Sequence, residues 1–181
     1  MCIRDSHVIV AIAWIGSSFY FVWLDNSLLP PKTPELQIKG VSGELWAVHG
    51  GGFYNPQKYL VAPPQLPEHL HWFYWEAYST WLSGFGLMVV LYLFNANTYM
   101  VDPRVFDMSP ATAIALALGF LVMGWVVYDG ICRLWGDQPG GDRMVGIGVL
   151  FYVAAATWLA CHVFAGRAAF LIMGAMLGTI M

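Results

Sequence analysis

The sequence predicts an all-α fold: a polytopic membrane helix bundle of about four full transmembrane helices plus a truncated fifth, with a long loop after the first. Two observations carry this expectation. Of the 181 residues, 59% are hydrophobic and only 10% are charged, and the mean hydropathy is +0.60. Soluble domains carry about 25% charged residues. Apolar runs near the length needed to cross a bilayer, about 20 residues, recur along the chain. The net charge of −3, with no basic cluster, argues against a nucleic-acid partner. Cys2, Cys132 and Cys161 stand apart. No CxxC or CxxCH occurs, so the cysteines read as isolated thiols in or near helices rather than as a zinc or covalent-haem motif.

Residues 1–6, MCIRDS, form a polar leader unlike the apolar run after them, expected to be extraneous or disordered. The first span covers about residues 7–24. It ends in bulky FYFVWLDN without a small-residue cleavage site, so it is a retained helix rather than a signal peptide. Residues 25–68 are a long polar connection punctuated by Pro30, Pro31, Pro34, Pro56, Pro63, Pro64 and Pro67. Its aromatic content argues against disorder. Ser42 is placed to cap a short interfacial helix over 43–48 that Gly50, Gly51 and Gly52 would end. Further spans are expected over 71–94, 111–134 and 144–164. Ser109-Pro110 forms the start signal of the third span, and GDQPGGD joins the third to the fourth. The fifth, 168–181, stops inside an apolar run. Residues 7–181 therefore read as the N-terminal part of a longer membrane domain.

Counting basic residues orients this topology. Lys32, Lys39, Lys58, Arg133 and Arg143 fall on one side, and Arg104 and Arg167, with Arg4 of the leader, on the other. The positive-inside rule puts the long loop in the cytoplasm and the N-terminus outside, in the periplasm of a bacterial inner membrane.

Ionisable groups within spans are expensive and often functional. Glu76 lies in the second span. His69, Trp72, Phe73 and Glu76 would share one helical face, so a histidine and a carboxylate could move protons there, or simply bond to a neighbouring helix. His69 and His71 are too far apart around a helix to bind one metal. Asp129 and Arg133 are spaced to pair. His7 and His162 fall near the outer side and could hold a b-type haem, or be unrelated interface residues. No metal beyond haem iron is expected. His49 and the glycines of HGGG suit an anionic ligand through exposed amides, or form a plain interfacial turn. Gln57 and Lys58 could add an amide and a cation.

The stretches AIAWIGSSFYFVWLDN, KGVSGELWAVHGGGFYNPQKYLVAP, LPEHLHWFYWEAYSTWLSGFG and GRAAFLIMGAMLGTIM together resemble the membrane domain of the bacterial cytochrome c-linked urate oxidase (urate hydroxylase) family. The resemblance covers nearly everything after the leader. In that family a multi-helix membrane domain precedes a C-terminal cytochrome c domain carrying haem c, which lies outside this chain. The resemblance implies oxidation of urate to 5-hydroxyisourate, with electrons passed to cytochrome c or the electron-transport chain. It implies urate binding by the loop through His49, the amides of Gly50, Gly51 and Gly52, Phe53, Tyr54, Gln57 and Lys58. His69, His71 and Glu76 would accept protons. Tyr74 departs from the family form, which carries lysine there. Two other readings stand beside this one: a haem b-binding electron-transfer module with its catalytic site elsewhere, and a non-enzymatic membrane permease or anchor.

Overall fold

The structure, a computed structural model, describes residues 2–63 and 65–180. Pro64 and Met181, at the end of the expected fifth span, lie outside the described residues, as does Met1. The described chain is mostly helical, in two compact units: Met1–Val8 with Tyr78–Met181, and Ile9–Ala77.

Helix α1 spans Ile3–Ser27 and so runs through both units. It begins within the leader, so residues 3–6 are helical rather than without structure. α3, Trp75–Met88, also crosses the boundary, and a π-helical segment, Val89–Leu93, continues it. A hydrogen bond from the Phe94 amide to the Val89 carbonyl, 3.1 Å, has the wider i→i+5 spacing.

In the larger unit the helices are the four-residue α4 (Ala96–Tyr99), α5 (Pro110–Trp135), α6 (Gly141–Val163) and α7 (Gly166–Ile180). Ser109 caps α5 as the sequence signals, its Oγ accepting from the Thr112 amide at 3.2 Å, with Pro110 in the first turn. α5, α6 and α7 pack on one another. The contact is built from small residues: Ala113, Ala117 and Gly124 on α5, Ala156 and Ala160 on α6, and Ala168 and Ala169 on α7 are all buried. Small side chains let apolar helices approach closely. Ile172, Met173 and Met176 of α7 fill the space that remains. Gly124 lies directly under the Met176 side chain. The Trp81 indole N–H donates to Thr179 Oγ1 at 2.9 Å, tying α3 to α7. Outside the helices, Arg104 grips Asp102 through two side-chain bonds and holds its carboxyl below the usual carboxylate range.

Among the described residues, three helices are long and apolar enough to cross a membrane: α1, α5 and α6. α7 is a shorter apolar helix. The expected second span corresponds to α3 with its π-helical continuation and starts at Trp75 rather than residue 71. Residues 73–74 form a turn instead, and Phe73 packs its ring edge-on to Phe21 of α1, with centroids 5.0 Å apart. His69, Trp72 and Phe73 therefore do not share a helical face with Glu76.

The connection in the smaller unit is not all-α. A five-residue helix, α2 (Pro34–Ile38), precedes four short strands: β1 (Val41–Glu44), β2 (Ala47–His49), β3 (Gly52–Tyr54) and β4 (Gln57–Tyr59). The helix expected over 43–48 is thus strand. β1 pairs antiparallel with β4, and β2 with β3. The two ladders form one hairpin arm interrupted at Asn55-Pro56. Proline has no N–H to give a ladder. Across the gap the Leu45 amide donates to the Pro56 carbonyl at 3.2 Å, and the Asn55 side chain donates to the Leu45 carbonyl at 3.2 Å. At the tip, His49 pairs with Gly52 across Gly50 and Gly51, whose φ values are +57° and +80°. Two consecutive positive φ values make the type I′ turn whose twist matches that of the strands.

Candidate functional site

The smaller unit contains most of the sequence-predicted residues, and three of them, Lys58, His71 and Glu76, are tied to the last turns of α1. Phe21 and Asp25 are four residues apart and share a face, about 6 Å apart along the axis. Asp25 pairs with Lys58 of β4, with Nζ 2.8 Å from Oδ2. Leu29, just past the helix, exchanges backbone hydrogen bonds of 2.9 and 2.8 Å with Glu44 of β1. Gly43 lets β1 pass against Leu28, since a Cβ there would lie 2.9 Å from that side chain. The base of the arm is thereby fastened to the end of α1.

On the same face of α1, Phe21 holds Phe73, and Phe73 in turn meets the His71 ring edge-on at 4.5 Å between centroids. His71 Nε2 lies 4.0 Å from Glu76 Oε1. The His71 side chain is 70% exposed and that of Glu76 is 25% exposed, so the imidazole faces outward with the carboxylate behind it. A carboxylate so placed compensates the charge that an imidazole gains on taking a proton. A histidine, its carboxylate, two aromatic rings and a lysine are thus held by one stretch of α1.

The remaining predicted residues lie apart from this cluster. His69 is on the exposed stretch before α3. His49 and the glycines form the tip of the arm. Two of those glycines are required by the turn. The third, Gly52, lies beneath the Tyr54 ring, which a Cβ would approach to 3.2 Å. Gln57 donates to Asn55 Oδ1 at 2.8 Å, and Phe53 is exposed. Asp129 and Arg133 do pair, at 2.8 Å. Sequence reasoning missed Phe21, Phe73 as the link to α1, and Asp25. Pairings between residues so far apart in the chain leave no local signal.

His7 and His162, in the larger unit, have separate partners. His7 Nδ1 lies 3.0 Å from Ser83 Oγ, a hydroxyl 2.6 Å from the Ser79 carbonyl. That hydroxyl donates to the carbonyl and so accepts from the imidazole. His162 Nδ1 donates to the Trp158 carbonyl at 2.7 Å, and its ring lies 4.4 Å from the Trp158 ring. The Nδ1 of each histidine is thereby engaged, which leaves Nε2 as the ring nitrogen that could ligate a metal. No hydrogen bond or ring contact joins the two. Among the described residues, no group of three or more His, Cys, Asp or Glu side chains could hold a metal ion.

These features describe a mostly helical protein with, among the described residues, three helices long and apolar enough to cross a membrane, and with a histidine and a carboxylate 4.0 Å apart at the start of α3. The chain belongs to the urate oxidase N-terminal family, whose model matches residues 1–181. Membership indicates urate-related oxidase chemistry, that of an oxidoreductase. No curated protein and no solved structure matches the chain.

Proposed function

We propose that this chain is the membrane part of an enzyme that oxidises urate to 5-hydroxyisourate and passes the electrons to cytochrome c. The observation that carries the proposal beyond family membership is that His71, which faces Glu76 and is linked through Phe73 to Phe21, and Lys58, which pairs with Asp25, are both tied to one face of α1. Urate is a planar anion. Lys58 offers it a cation, and Phe21 and Phe73 offer faces and edges for its rings. Urate and one water give 5-hydroxyisourate, two protons and two electrons. His71 takes one of those protons from the substrate or the water, with Glu76 compensating the charge.

The electrons leave singly. His7 and His162 would be the ligands of a b-type haem if this domain relays them, each through Nε2, since its Nδ1 is engaged. A haem so held accepts and donates single electrons. The basic-residue count places the arm and the His71–Glu76 pair on the cytoplasmic side of a bacterial inner membrane, with α1, α5 and α6 in the bilayer.

The test is stoichiometry in membranes bearing the natural full-length protein. One urate consumed should reduce two cytochrome c haems and release no hydrogen peroxide. Peroxide formation with no cytochrome reduction overturns the electron route.

A further inference from the structure

The arm has two unlike faces. Side chains alternate across a strand pair, so Val48 and Phe53, directly opposite each other, lie on one face, while His49, Gly52 and Tyr54 lie on the other. Val48 is 67% exposed and Phe53 78% exposed, with Trp46 just before β2 at 68%. Residues 45–57 contain no Asp, Glu, Lys or Arg. From Val41 to His49 the arm is about 30 Å long at the usual rise per residue. Its base is fastened by Lys58–Asp25 and Leu29–Glu44 to the end of α1, a helix long and apolar enough to cross a membrane.

We propose that the arm lies along the membrane surface, with Val48 and Phe53 immersed among the lipid headgroups and upper acyl chains, and His49 and Tyr54 facing water. Three features point to lipid as the occupant. The arm starts where a membrane helix ends, so the bilayer surface is within its reach. Its outer section carries no charge that headgroup insertion would have to desolvate. Its exposed aromatics are of the kind that settle at the interface. The period-two alternation puts Phe53, which the family resemblance assigns to urate, on the lipid-facing side with Val48, and leaves His49 and Tyr54 on the other. This rests on the membrane placement given under Proposed function.

The test uses the natural full-length protein in proteoliposomes, with Cys2, Cys132 and Cys161 replaced by serine and an environment-sensitive NBD label on Phe53→Cys, Val48→Cys or His49→Cys. Lipids carrying a shallow nitroxide quencher report contact with the bilayer. Resistance to alkaline carbonate extraction reports separately whether the chain is in the membrane. The expected result is blue-shifted, strongly quenched emission at positions 53 and 48, with at least a two-fold weaker effect at 49. Carbonate-resistant protein with no quenching at 53 and 48 overturns the arm proposal and leaves the membrane placement intact. A blue shift without lipid quenching means that protein, such as a second copy, covers the face, and also overturns it. Carbonate-extractable protein overturns the membrane placement and the arm proposal together.

Discussion

His71 Nε2 stands 4.0 Å from Glu76 Oε1, across the turn that leads into helix α3. The distance exceeds that of a hydrogen bond, so the pair is electrostatic and open to a ligand that inserts beside it. Phe73 buttresses the histidine and is itself held by Phe21. The imidazole is therefore positioned by α1 rather than by its own helix. Replacing Phe21 by alanine should lower kcat for urate oxidation by roughly ten-fold, because misplaced catalytic groups lose rate steeply. Steady-state kinetics of the variant check this, and Phe21→Tyr, which keeps the ring, should restore most of the rate.

Lys58 and Asp25 test the anion-binding side. Both are about half exposed, so their ion pair contributes at most about 1 kcal/mol to stability. Lys58→Met should raise the KM for urate several-fold with little change in kcat or in thermal unfolding. An unchanged KM would remove Lys58 from the site.

The tip of the arm is held by two glycines in the left-handed region. Gly51→Ala should loosen the turn by about 1–2 kcal/mol, the cost of that conformation for a residue with a Cβ. Gly51→Asn should be tolerated, since asparagine adopts it readily. Hydrogen exchange at the amides of β2 and β3 should quicken in the first variant and not in the second.

In the helical unit, Gly124 has no room for a side chain beneath Met176. Gly124→Ala should destabilise the α5–α7 contact by about 1–3 kcal/mol. Met176→Ala in the same chain should recover part of that loss, and thermal unfolding in detergent of both variants would show the coupling.

The long helices are legible in the sequence because apolar runs and their caps are local signals: Ser109-Pro110 marks the start of α5 to the residue. The arm is harder to read, although Gly50-Gly51 between Val48 and Phe53 is a hairpin signal. In a chain this rich in helix, the same glycines also fit a helix stop, and only the pairing of β2 with β3 separates the two. The start of α3 differs from expectation for another reason. Continuing the helix back to residue 71 is locally permissible, and the turn at residues 73–74 coincides with a contact to Phe21, far away in sequence. The candidate site is half legible. His71, Glu76 and Lys58 stand out as ionisable groups in an apolar chain, but Phe21 and Asp25 join them through tertiary packing alone.

Proton handling by His71 and Glu76 is decided by one set of rates: urate oxidation by Glu76→Gln and His71→Asn in the natural full-length protein, with folding checked by unchanged membrane yield and thermal unfolding. Each variant should lose roughly 10²-fold or more in kcat, as general acid–base groups do, and the double variant should lose no more than the worse single one. Wild-type rates in both folded variants would remove the pair from the chemistry.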